Sequence, residues 1–161
     1  MAPDISCNIG GSRFNLRTTA VVICDGHVLV MKTSNTPYYY TPGGRVRANE
    51  SSKDAFCREM EEELGVTLYP QRLLWICESF FTEETTAERF HEIGFYYLVE
   101  LPENHALYSA PAFTRTDDEG VTQHFRWQSL SELSEIDLRP AFLKERILHL
   151  PDTTECILDD R

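Results

Sequence analysis

Residues 43–66, GGRVRANESSKDAFCREMEEELGV, constrain this chain more than any other stretch. Ser51 followed by Asp54 is a helix-start signature, because an N-cap side-chain oxygen satisfies a backbone N–H that has no intrahelical partner. Gly65 stands where a helix ends in the left-handed region, which a residue without Cβ enters at no steric cost. Between them Phe56, Met60 and Leu64 recur at helical spacing, with Cys57 beside them as a small hydrophobe rather than a nucleophile. The spacing therefore predicts an amphipathic helix packed against a sheet.

A second face of that helix is acidic. Glu59, Glu62 and Glu63 stand at i, i+3 and i+4 and so are surface neighbours. Like charges at this spacing destabilise a helix by roughly 0.2–0.5 kcal/mol per pair, and these lie toward the C-terminal end, where the macrodipole disfavours anions. A helix that needed only solvation would intersperse lysines. Clustered carboxylates suit a hard divalent cation with oxygen ligands, Mg²⁺ or Mn²⁺. Arg58 can hold a neighbouring glutamate in one rotamer through a charge-assisted hydrogen bond.

The segment resembles the Nudix box, G-x5-E-x7-R-E-U-x-E-E-x-G-U with U a bulky apolar residue, at every specified position: Gly44, Glu50, Arg58, Glu59, Met60, Glu62, Glu63, Gly65 and Val66. At average residue frequencies such a match arises on the order of once in 10⁹ starting positions. The resemblance implies a single α/β/α sandwich with a mixed β-sheet. It also implies Glu59, Glu62 and Glu63 as metal ligands, with the carbonyl of Gly43 or Gly44 completing the shell. Glu50 would position the loop or a second metal, and Arg58 would orient a glutamate. The implied reaction is attack of a metal-activated water on a diphosphate of a small nucleotide-like substrate. The alternative from the same fold is a binding module for a nucleotide or ADP-ribose without turnover.

Outside the box the signals are local. Many family members add an acidic residue, and Glu119, in a loop before residues 123–127, is favoured over Glu78 and Glu92. Arg17, Tyr40 and Arg45 are candidates for substrate contact, the arginines for phosphates and the tyrosine for a base. The proline that marks many ADP-ribose hydrolases of the family is absent: Phe80-Phe81-Thr82 occupies its place, and Pro70 lies too near the box.

Residues 18–24 and 27–33 are β-branched runs around Asp25-Gly26, a hairpin signal because both turn residues tolerate positive φ. Further strands are expected at 38–40, 72–81, 91–101 and 123–127. Helices are expected to open at Ser129 and to run over 140–150, with Phe142, Leu143, Ile147 and Leu150 inward. Residues 1–16 read as an irregular lead-in, 17–150 as the domain and 151–161 as a loose polar tail. The formal net charge of −11 repels nucleic-acid backbones and excludes long nucleic acid as a partner. A bound cation can still invert the field locally for a small phosphorylated ligand. Cys7, Cys24, Cys57, Cys77 and Cys156 are odd in number with no C-x-x-C pair, which points to a reducing cytoplasm. No signal sequence or membrane segment is expected, and a homodimer is open, since many relatives are dimers.

Overall fold

The computed structural model describes residues 2–117 and 119–160. Its spine is β2 (Ser12–Cys24), which pairs antiparallel with β1 (Ser6–Ile9), β3 (His27–Thr33) and β4 (Gly43–Arg45), and parallel with β6 (Arg89–Glu100). Beyond these lie β5 (Arg72–Thr82), β7 (Ala112–Thr116), β8 (Thr122–Ser129) and β9 (Glu155–Asp160), in the order β7-β8-β3-β2-β6-β5-β9. The sheet is mixed, with parallel pairings at β2–β6 and β5–β9.

Strand residues alternate between two faces, so β2 supplies two cores. Ala20, Val22 and Cys24 join Leu29, Met31, Tyr97 and Val99 on one face, where α1 (Ser52–Leu64) seals the layer with Phe56, Met60 and Leu64. Val21 joins Val28, Val30, Trp75, Tyr96 and Leu98 on the other. Leu133 from the 3₁₀ turn Leu130–Glu135 and Leu143 from α2 (Leu143–Arg146) cover that face. The expected α/β/α sandwich is the architecture found. Among the described residues no helix is long and apolar enough to cross a membrane.

Several expectations are corrected. Residues 1–16 hold a hairpin, not an irregular lead-in: Gly10 and Gly11, at φ 57° and 81°, form its turn, and β1 is too exposed to show an apolar alternation. Tyr38-Tyr39-Tyr40 makes only isolated bridges, Met31 to Tyr40 and Tyr39 to Leu138; the short strand is β4, set by its register against β2 rather than by strand-forming side chains. The helix expected over 140–150 is only four residues long, although Leu143 and Ile147 are buried and Phe142 and Leu150 pack on the same core. The tail from Pro151 contains β9, whose short alternating pattern needs β5 beside it to become a strand. Strand β7, partly charged, gave no apolar signal.

Phe56 is fully buried between α1 and the sheet, edge-on to Tyr97. Replacing it with Ala is expected to lower unfolding free energy by roughly 3–5 kcal/mol, the range for deleting a buried aromatic ring. Tyr69→Ala, at a site 73% exposed, should stay within about 0.5 kcal/mol. Urea unfolding of both variants measures the difference.

Candidate active site

The box helix begins and ends as its sequence signals. The Ser51 hydroxyl oxygen accepts the Asp54 N–H at 3.1 Å, while the same hydroxyl donates to the Asp54 carboxylate at 2.7 Å. Gly65 closes the helix at φ 67° and donates its N–H to the Glu61 carbonyl at 3.0 Å. With both ends set, the acidic face turns toward β4.

Two glycines let carboxylates reach the backbone there. Gly43 donates its N–H to Glu63 Oε2 at 2.9 Å. Gly43 has φ 148°, and a Cβ on it would lie 2.3 Å from the Thr18 carbonyl oxygen. A Cβ on Gly44 would fall 2.3 Å from the Glu59 carboxyl carbon, so the Glu59 head group occupies the space that glycine leaves.

Arg58 gathers the rest. Its Nε and Nη2 donate to the two oxygens of Glu50 at 2.7 and 2.9 Å, and its Nη1 donates to Glu59 at 2.6 Å and Glu62 at 3.1 Å. Nη2 also reaches the Arg45 carbonyl at 2.9 Å. The second oxygen of Glu50 accepts the Arg47 N–H at 2.9 Å, tying the loop to the same guanidinium.

The electrostatics are uneven. Hydrogen bonds from Arg58 hold the Glu50 carboxyl below its ordinary value. Burial raises Glu59 even though Arg58 opposes the shift. Burial, and then the neighbouring Glu59 charge, push Glu63 up to about 8. Arg58 beside Glu59, and Arg17 facing both, therefore leave two enclosed carboxylates undercompensated. Among the described residues no three acidic, histidine or cysteine side chains close into a ready-made ion cage. The donor set nevertheless fits Mg²⁺, which keeps part of its water shell and takes one or two carboxylates together with substrate oxygens.

Beside this face opens a cleft of about 690 Å³. Arg17 joins the two: its Nη2 donates to the Gly43 carbonyl at 3.2 Å and its Nη1 stands 3.9 Å from Glu92. Tyr40 lines the cleft, and burial pushes its phenol up to about 12. Arg45 lies at the rim, 42% exposed and 3.7 Å from Asp4.

The residues singled out in the sequence thus come together, except for Glu119 and Glu78. Glu119 is exposed and does not line the cleft. Asp117 Oδ1 accepts the N–H groups of Glu119 and Val121 at 3.0 and 2.8 Å, so local hydrogen bonds hold Glu119 there. Glu92, the less favoured candidate, lies in the cleft at 14% side-chain exposure. Glu78 is instead paired with His91 at 2.9 Å.

Sequence reasoning missed Phe81, Glu83, Phe90 and Arg139, which line the cleft around Tyr38. Tyr38 donates to Glu83 at 2.7 Å, and the Arg139 guanidinium lies 4.3 Å from the Tyr38 ring centroid. Phe81 and Phe90 stack at 5.0 Å on β5 and β6. These residues come from separate elements, and no local pattern links them.

A family model described as the NUDIX domain matches residues 15–149. No curated protein matches the chain. Among solved structures it is similar to a MutT protein from Bacillus halodurans, at 20% identity and TM-score 0.60, covering 88% of this chain and 89% of that one. A MutT protein from Methanosarcina mazei Go1 is similar at 21% identity and TM-score 0.56, covering 86% and 92%. A NUDIX hydrolase from Nitrosomonas europaea gives 21% and 0.55, covering 83% and 86%. At such identities the structural likeness is one of fold.

Removing the guanidinium should expose the charge imbalance. Arg58→Gln leaves Glu50 and Glu59, at 16% and 13% side-chain exposure, without their cation. The expected loss is roughly 3 kcal/mol, the low end for breaking a buried pair from one side. Thermal unfolding without added metal reads it directly, and an unchanged Tm contradicts the role given to Arg58.

Proposed function

The chain belongs to the Nudix family, hydrolases of phosphorus anhydrides, and from that premise we propose that it is a Mg²⁺-dependent enzyme. Its substrate is a nucleoside diphosphate linked to a further group, or a nucleoside triphosphate, and Mn²⁺ can replace Mg²⁺. The observation that carries this reading is the undercompensated carboxylate cluster behind Gly43 and Gly44, opening through Arg17 onto the cleft. A binding module without turnover has no need of enclosed carboxylates that repel one another.

Glu59, Glu62 and Glu63 would hold the cation, with the Gly43 or Gly44 carbonyl as a further donor. When bound, the cation draws phosphate oxygens to an acidic surface and lowers the pKa of a coordinated water. The chain's own residues do the positioning. Arg58 keeps Glu59 and Glu62 in fixed rotamers, and Glu50 fixes Arg58. Gly43 N–H fixes Glu63. Arg17 carries positive charge from the carboxylate cluster toward the cleft, where a phosphate chain would lie. Tyr40, and Arg45 at the rim, line the cleft and would contact the remainder of the substrate. Glu92 is the acidic residue outside the box whose position suits proton transfer in the cleft. The five free cysteines suit a reducing cytoplasm, where we place the protein.

Two measurements test this. Formation of nucleoside monophosphate from a panel of nucleoside triphosphates, nucleotide sugars and ADP-ribose, with pyrophosphate or the phosphorylated second group as the other product, is expected with Mg²⁺, to vanish with EDTA and to return on adding Mg²⁺. Glu62→Gln should lower kcat by about 100-fold or more, above the 10–100-fold span typical of groups that only support a metal's ligands. Full turnover in that variant, or none by the native chain on any substrate, removes the proposal. The second measurement compares Glu92→Gln with Glu119→Gln: at least a tenfold loss of kcat is expected for the first and roughly none for the second.

A further inference from the structure

The segment Tyr38-Tyr39-Tyr40 runs between two concavities. Tyr38 and Tyr40 line the cleft, whereas Tyr39 lines a separate groove of about 400 Å³ over β3, β7 and β8. That second groove is basic. In the β3–β8 register Lys32 stands opposite His124 and Val30 opposite Arg126. Residues two apart, or directly opposite, share a face, so Lys32, His124 and Arg126 present their side chains together. Across β7, Thr114 stands opposite His124 and adds a hydroxyl to the same face.

Elsewhere many arginines of this acidic chain have a carboxylate within ion-pair distance, among them Arg13, Arg17, Arg58, Arg139 and Arg146, and Arg72 and Arg115 donate to backbone carbonyls instead. Among the described residues neither Lys32 nor Arg126 has such a partner. Both lean on one ring, with Lys32 Nζ 5.1 Å and the Arg126 guanidinium carbon 4.3 Å from the Tyr39 centroid. Arg126 Nε is buried with no hydrogen-bond acceptor among the described residues. A ring face attracts cations but accepts no strong hydrogen bond, so two positive groups gathered there retain unused donors. A tetrahedral dianion supplies both missing elements, negative charge and several acceptor oxygens.

We propose that this groove binds a phosphate group, carried either by inorganic phosphate or by a nucleoside monophosphate, at a site separate from the hydrolytic cleft. The Tyr38-Tyr39-Tyr40 segment forms a wall of both, so occupancy of the groove bears on Tyr38 and Tyr40 through one stretch of backbone. The competing role for the same residues is packing alone, in which the two cations only fasten Tyr39.

The test is a titration of the full-length protein, first with inorganic phosphate and then with a nucleoside 5′-monophosphate, followed through the His124 and Tyr39 ring resonances. Saturable shifts of both rings are expected. In Lys32→Gln/Arg126→Gln the affinity should fall by about tenfold or more, while Glu62→Gln should leave it in place. Equal affinities identify phosphate alone as the ligand, and tighter nucleotide binding shows that the organic part also makes contact; either result supports the site. Lys32→Gln alone serves if the double variant does not fold, with weakened binding again expected. The proposal is overturned if neither compound shifts the rings saturably, or if the shifts persist unchanged in the folded variant.

Discussion

One guanidinium organises the acidic end of this molecule. Arg58 holds oxygens of Glu50, Glu59 and Glu62 at once and also bonds the Arg45 carbonyl, so helix, loop and β4 are fastened through a single side chain. A lysine could not do this, because a point charge with no fixed fork cannot address several acceptors in one plane. Without Arg58 the carboxylates would repel each other and turn to solvent. With it Glu50 and Glu59 remain enclosed while Glu62 stays half exposed, and Glu59 is still short of positive charge.

That arrangement depends on the absence of two side chains. Glu59 occupies the place of a Gly44 Cβ, and Glu63 reaches the Gly43 N–H where β4 lies hard against β2. The acidic face of α1 is thereby pressed onto backbone rather than onto other side chains. Backbone N–H groups and carbonyls offer fixed geometry at low entropic cost, which is why so short a strand as β4 can position the site.

The same spine separates two kinds of work. Through its central part β2 feeds Ala20 and Val22 to one core and Val21 to the other, and these cores hold the sheet. Toward its start the alternation changes character, with Asn15, Arg17 and Thr19 lining the cleft. Hydrophobic burial supplies stability along one half of the strand, and polar side chains occupy the other. The tyrosine segment shows a similar division, sending Tyr38 and Tyr40 one way and Tyr39 the other.

How much of this could be read from the chain differs by element. Box-helix limits, apolar stripe, acidic face and the β2–β3 hairpin were all legible, because each rests on interactions between residues a few positions apart. Spacing alone determined that Glu59, Glu62 and Glu63 share a face, and residue types alone determined that a hard cation would suit them. Tertiary structure decided that β1 and β9 are strands, since their backbone hydrogen bonds need partners the local pattern does not announce. It also decided that Glu92 rather than Glu119 shares the cleft, and that Arg139 meets Tyr38. Contacts between distant residues leave no periodicity to read: they exist only once the sheet has brought the strands side by side.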